Sequence, residues 1–219
     1  MQRRSEAASA EQIIVVVQEM LESQGYAAVQ LRAVARRAHV SLATVYKSFA
    51  TRDELIVTAV ERWMAVNNFS PAAPTPDGEN PRSGLVRILR HILAPWETHP
   101  RMLEAYHRAR LGPGGRRLDE RAISEVLPAI SALFAGAEPD YVSDVGLILS
   151  NMIYALIGRF VDGALEVTEI LPALERTVIR LTSDNEAPSN SGAARLSQPE
   201  SDTVVDASLA GPYGPKRPS

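Results

Sequence analysis

Between Gln30 and Arg52 the chain carries five basic side chains, Arg32, Arg36, Arg37, Lys47 and Arg52, and no acidic one. The hydroxyls of Ser41, Thr44 and Tyr46 are interleaved with them. Cationic and hydroxyl groups gathered in one short segment are the chemistry of phosphate contact, and side chains such as Leu42, Ala43 and Thr44 can face base edges. Two further cations, Arg3 and Arg4, precede the first apolar run and could reach a minor groove, or could belong to a frayed start without contacts. The chain as a whole has a formal net charge of −3. It therefore has no general attraction to a polyanion, and any DNA affinity must come from the local patch. On residue types alone, the same patch also fits the solvated side of an ordinary helical hairpin.

Other chemistries find less support. The four histidines are His39, His91, His99 and His107, and none falls into the His-x-x-x-His zinc pattern with its glutamate. There is no cysteine, which rules out a disulfide framework and thiolate metal sites and fits a reducing cytoplasm. No Gly-x-Ser-x-Gly elbow occurs, and the glycines of Gly112-Pro113-Gly114-Gly115 lack the Lys-Ser/Thr of a phosphate loop. We expect no catalytic residue, no metal and no cofactor. A small-molecule pocket is better supported. Trp96, Met102 and Tyr106, then Asn151, Met152, Tyr154 and Phe160, combine adaptable apolar groups with a few polar ones, and Trp63 adds a large aromatic. At helical spacing the same residues also fit plain core.

The elements that would position these groups are helices throughout. Ser9 with Gln12 reads as a capping box, and Ile13, Ile14, Val17, Met20 and Leu21 give an apolar stripe that Gly25 stops. Residues 1–8 read as a flexible arm. Leu31, Val34, Ala35 and Ala38 share one face of a short helix, and Ser41 caps a second, Leu42–Ser48. Ala35 is small enough to let the two cross closely. Thr51 and Glu54 form a further capping box, so a long helix should run from there to about Phe69. The segment 70–83 carries four prolines and reads as a loop. Helices are expected from about Gly84 to Glu97, from Pro100 to about Leu111, and from Arg116 to about Phe134 with a bend at Pro128. Val145 to Gly158 has no charge and is too short and too polar for a membrane span. Such a helix must be buried all round, so its outer face, with the last helix Val167–Leu181, calls for a partner subunit. From Asp184 to Ser219 the apolar period disappears and a disordered tail is expected.

GYAAVQLRAVARRAHVSLATVYKSFATRDEL resembles the DNA-binding segment of TetR-type transcriptional regulators. The matching features are Gly25-Tyr26, Ala35, the Val40-Ser41 turn exit, Thr44, Tyr46-Lys47-x-Phe49 and Thr51 to Leu55. His39 stands where that family prefers Gly, a site that wants a left-handed backbone, Ser48 where it often has His, and Ala50 where it often has Pro. Motif similarity covers about residues 9–62. Within the family, GYAAVQLRAVA and LSNMIYAL are similar to regulators of steroid and cholesterol breakdown in actinobacteria.

The resemblance implies an all-α fold: a three-helix head with a helix-turn-helix (9–51) and a larger helical ligand-binding and dimerisation body (52–183). It implies a cytoplasmic homodimer, with no membrane role, on a near-palindromic double-stranded operator. The recognition helices would lie about 34–36 Å apart or a multiple of that. Arg32, Ser41, Leu42, Ala43, Thr44, Tyr46, Lys47 and Arg52 would contact DNA, with Tyr46, Lys47 and Arg52 on the backbone. A small apolar ligand, a steroid or an acyl-CoA thioester, would bind among Trp63, Trp96, Met102, Tyr106, Asn151, Met152 and Phe160 and release a repressor. The alternative is a helical protein-binding module that has lost operator specificity.

Overall fold

Helix-forming composition, interrupted by glycine and proline at the joints, divides the chain into nine α-helices and one 3-10 turn, with no strand among the described residues. The computed structural model describes residues 2–67, 76 and 78–183, with residues 2–6 described by their backbone. The disordered tail expected from residue 184 and half of the expected 70–83 loop (70–75 and 77) lie outside these residues.

The first helix, α1, runs Gln2–Gln24. It thus includes residues 2–8 of the expected flexible arm, and Ser9 is interior rather than a cap. The physical reason lies in QRRSEAASAEQ, which has no proline or glycine and is rich in good helix formers. Gly25 ends the helix at φ 83, and its N–H reaches the carbonyls of Met20 and Leu21 at 3.1 Å. After a 3-10 turn, Tyr26–Ala28, come α2 (Leu31–Arg37) and α3 (Leu42–Ser48). Between them His39 adopts φ 54, the left-handed conformation expected of it. It is held there by a Schellman closure, Val40 N–H to Ala35 O at 3.0 Å and His39 N–H to Arg36 O at 3.3 Å. A side chain with a Cβ in this conformation costs about 1 kcal/mol, which the closure offsets.

Helix α4 (Arg52–Asn67) is started by Thr51, whose Oγ1 accepts from Glu54 N–H at 3.0 Å, while Glu54 reaches back to Ala50 N–H at 2.9 Å. Helix α5 (Pro81–Thr98) starts three residues before the expected Gly84, because Asn80 caps it by accepting from Ser83 N–H and Pro81 occupies the first turn. Helices α6 (Pro100–Arg110), α7 (Arg116–Leu133), α8 (Pro139–Val161) and α9 (Val167–Leu181) complete the body. Prolines 95, 128 and 172 sit inside α5, α7 and α9, and each withholds one backbone hydrogen bond from its helix.

One core cluster extends from Ile13, Val17, Leu21, Val34, Ala35 and Val45 in the head, through Leu55, Ile56 and Val60 of α4, to Met102, Leu103, Leu118, Ile170 and Leu174 in the body. Helix α5 packs on α9, with Arg90 paired to Glu175 at 2.6 Å. Two expectations for α8 change. At 23 residues it is long and apolar enough to cross a membrane by length and composition, so length does not separate it from a membrane span. Nor is it buried all round: Val145, Leu149, Leu156 and Ile157 face the core, whereas Leu147 and Ile148 are exposed.

Candidate nucleic-acid interface and effector cavity

The inward residues of α2 and α3 decide what faces out. Val34, Ala35, Val45 and Phe49 are buried. This leaves Arg32, Arg36, Arg37, Ser41, Ala43, Tyr46 and Lys47 exposed on the opposite side, with Leu42 and Thr44 half-buried. Ser41 caps α3: its Oγ accepts from Thr44 N–H at 3.0 Å and lies 2.8 Å from Thr44 Oγ1. The two hydroxyls thus hold each other at the start of the helix. Tyr46, an amphipathic ring, keeps about half of its surface in solvent. The side chains of Arg3 and Arg4 lie outside the described residues.

Arg52 departs from the role expected of it. Its Nε and one terminal nitrogen donate to the carbonyls of Val29 and, at 2.7 Å, Tyr26, and its guanidinium lies 4.6 Å from the Tyr26 ring centre. These two loop carbonyls draw the fork inward, and that of Tyr26 also accepts from Val29 N–H at 3.4 Å. Arg52 therefore ties the 3-10 turn to the start of α4 and does not stand on the outward face.

In the body, a cavity of about 350 Å³ lies between α5, α7 and α8, lined also by Met64 of α4 and by Leu103 and Tyr106 of α6. Leu85, Ile88, Leu89, Ile92 and Leu93 of α5 form one wall, Ala122, Ile123, Val126, Leu127 and Ile130 of α7 another. Helix α8 contributes Val142, Val145, Gly146, Leu149, Ser150, Ile153, Tyr154 and Ile157, a series at helical spacing. Ile123 and Leu127 are both cavity-lining and more than half exposed, which makes α7 the wall that meets solvent.

Of the residues expected to bind a ligand, Trp96 and Tyr106 line this cavity, as does Tyr154, and the other five do not. Met102 is fully buried in the core. Trp63 is packed among Trp96, His99 and Glu22. Asn151 is exposed and donates to Leu147 O of its own helix at 2.8 Å. The Met152 sulfur lies 3.2 Å from the Thr177 hydroxyl of α9. Met152 is out of phase with the lining positions of α8, whereas Phe160 is in phase with them but lies one turn beyond Ile157, past the end of the lined stretch. Residue type alone had suggested these five; helical phase excludes Asn151 and Met152, Phe160 lies past the end of the lined stretch, and Trp63 and Met102 are taken up by core packing.

The polar end of the cavity was not anticipated. Tyr106 donates its hydroxyl to Asp119 at 2.9 Å, and Arg110 Nε donates to the same carboxylate oxygen at 3.0 Å. The Arg110 guanidinium stacks 3.8 Å from the Tyr154 ring centre. Burial, reinforced by the Asp119 charge, pushes both the Tyr106 and Tyr154 hydroxyls above the ordinary phenol range, so both stay protonated and neutral. The charges of Asp119 and Arg110 compensate each other, and what the cavity presents is phenol oxygen on an apolar surface. Tyr106 and Asp119 stand 13 residues apart on different helices, a pairing no sequence pattern marks. Beside this group, His107 Nδ1 is buried without a hydrogen-bond partner among the described residues. Burial, followed by the nearby Arg110 charge, lowers the His107 imidazole below its ordinary value.

The head and the body each match a family model. Residues 13–59 match "Bacterial regulatory proteins, tetR family", and residues 78–181 match "Tetracyclin repressor-like, C-terminal domain". The chain is 31% identical over 173 residues to the HTH-type transcriptional repressor KstR of Rhodococcus jostii (strain RHA1), covering 73% of this chain and 76% of that protein. Two solved structures share the fold. One is a TetR transcriptional regulator from Rhodococcus sp. RHA1, with TM-score 0.61 at 16% identity over 80% of this chain and 98% of the other. The second is a TetR-like transcriptional regulator from Rhodococcus sp. RHA1, with TM-score 0.57 at 19% identity over 81% and 97%.

Proposed function

The chain belongs to the TetR family of DNA-binding transcriptional regulators, and on that premise we propose that it is a repressor released from its operator by a small lipophilic ligand. The carrying observation is the apolar cavity of about 350 Å³ within the body that α4 joins to the helix-turn-helix head. That volume is at the lower end of what ligand pockets offer. A rigid, largely apolar molecule with one or two hydrogen-bonding groups suits it, such as a steroid or the acyl portion of an acyl-CoA thioester.

Regulators of this family bind DNA operators and form dimers. For this chain we propose a cytoplasmic homodimer formed by the outer faces of α8 and α9, on which Leu147, Ile148 and Ile179 are exposed. We propose further that α3 enters the major groove, with Leu42, Ala43 and Thr44 at base edges. Tyr46 and Lys47 would hold phosphates, assisted by Arg32 and, at the minor groove, by Arg3 and Arg4. The division into a head (9–51) and a body (52–183) follows the same reading. Ligand binding releases DNA only if the ligand prefers a head spacing that the operator does not fit.

The test is a footprint of the purified protein on DNA upstream of its own gene, at two salt concentrations, with and without progesterone as an uncharged steroid probe. Protection of a near-palindrome, steep loss of affinity with salt and a weaker footprint with the steroid are the expected results. Protection that neither progesterone nor a panel of acyl-CoA thioesters alters would remove the ligand from the proposal. A folded dimer that protects no near-palindrome would move the helical protein-binding reading ahead.

A further inference from the structure

Two residues of the cavity wall continue beyond it as a line of mutually tilted rings in contact that ends on the DNA-binding head. Tyr106 lies 5.4 Å from Trp96, and Trp96 lies 4.6 Å from Trp63, centre to centre. All three rings are buried, with 4–5% of their surface exposed. Trp63, on α4, donates its indole N–H to Glu22 Oε1 of α1 at 2.9 Å. His99, between α5 and α6, places Nδ1 3.1 Å from the same oxygen and its ring edge-on to Trp63 at 5.3 Å. Helix α1 in turn packs on α2 and α3. In a close-packed interior a ring displaced at one end of such a series cannot move without moving its neighbour.

We propose that the line Tyr106–Trp96–Trp63–Glu22 is the positioning contact through which occupancy of the cavity is felt by the head. The inference rests on the reading that the cavity takes an effector. Other contacts also join the head to the rest of the molecule. Met64 of α4 lines the cavity itself. Gln18 Nε2 donates to Ala59 O at 2.9 Å between α1 and α4, with neither residue at the cavity. The same two helices are linked by the Arg62–Glu11 ion pair at 3.1 Å. Its two side chains are each about half exposed, so water and salt screen it and neither partner is fixed by packing. The aromatic line touches the cavity at one end and carries a single directed hydrogen bond at the other. A ligand that shifts Trp96 or Tyr106 alters the position from which the Trp63 N–H meets Glu22.

The test uses the full chain, its operator duplex and Nile red, an uncharged apolar dye, as the cavity probe. Dye affinity is measured by fluorescence with and without saturating operator, in the natural chain and in Trp63→Phe, Glu22→Gln and Arg62→Ala. In the natural chain, operator should weaken dye binding by at least about fivefold, the lower end of ordinary allosteric couplings. Trp63→Phe keeps a ring against Trp96 but has no N–H for Glu22. It should bind dye and operator separately within about threefold of the natural chain, while the coupling falls below about twofold. Glu22→Gln retains an acceptor for the indole and should retain coupling, as should Arg62→Ala. Undiminished coupling in Trp63→Phe overturns the inference and leaves the effector reading intact. Dye that fails to bind, or that binds the natural chain without coupling to operator, sinks the effector reading and the inference with it. Should Trp63→Phe not fold, Glu22→Ala takes its place with the same expected loss.

Discussion

At the scale of single residues, Arg52 shows how a side chain of the right type can be assigned to a different partner by its surroundings. Its fork satisfies the Val29 and Tyr26 carbonyls, and lysine cannot reproduce that two-pronged donation. Arg52→Ala and Arg52→Lys should both destabilise the head by about 2 kcal/mol, the range of hydrogen bonds to a charged donor. Chemical denaturation checks this, and the salt slope of operator binding should stay as it was. A slope reduced by about one with stability unchanged would return Arg52 to the phosphates. His107 offers a second prediction. Its folded-state value lies below the ordinary 6.5, so above that pH both folded and unfolded chains hold it neutral. As pH falls below 6.5 the unfolded chain binds the proton first, and stability declines until the folded value is passed. His107→Phe should remove this part of the decline in melting temperature between pH 7 and pH 5, and a curve parallel to that of the natural chain would refute it.

At the scale of elements, α3 derives its role from how it is seated. Val45 and Phe49 anchor one side, Ser41 fixes the start, and Tyr46 and Lys47 project from the other. Replacing Tyr46 and Lys47 with alanine should abolish footprinting while leaving helicity and assembly unchanged, as circular dichroism and sedimentation would report. Lys47→Ala alone should weaken binding evenly across operator variants and reduce the salt slope by about 1. Loss of discrimination at one base position instead would place Lys47 at a base edge. The head elements were legible in the sequence because they are local: a capping hydroxyl, a left-handed joint and an apolar face of three or four residues. His39 illustrates this, since its position two residues beyond α2 requires φ > 0 whatever the rest of the chain does. The body elements were legible as helices, but not in their phase. Asn151 and Met152 lie beside Ser150 and Ile153 in the sequence, yet only the latter two face the cavity.

For the whole molecule, the exposed apolar side chains of α8 and α9 carry the prediction. Leu147 is 62% exposed and Ile148 and Ile179 a little under half, in a helix pair that otherwise joins the core. Covering each of these side chains in a dimer stabilises it by roughly 1–2 kcal/mol. Leu147→Glu with Ile148→Glu should turn the dimer into a monomer by light scattering at micromolar concentration, with the helical content of the monomer preserved. Operator affinity should fall at least about a hundredfold, because two linked heads bind far more tightly than one. A natural chain that is monomeric at every concentration tested would sink the dimer outright.

The sequence by itself determined the number and most of the boundaries of the helices, the outward chemistry of α2 and α3 and the joint between them. These depend on interactions within a few residues, where propensity, capping and periodicity act. It also carried the family, in a contiguous run from Gly25 to Leu55. Tertiary structure alone decided the rest. It extended α1 back to Gln2, turned Arg52 inward, and selected which apolar faces meet around a cavity. It also brought Asp119 to Tyr106 and Glu22 to Trp63 across 13 and 41 residues. Those pairings depend on how helices cross, and a crossing is fixed by the packing of whole faces rather than by any motif along the chain.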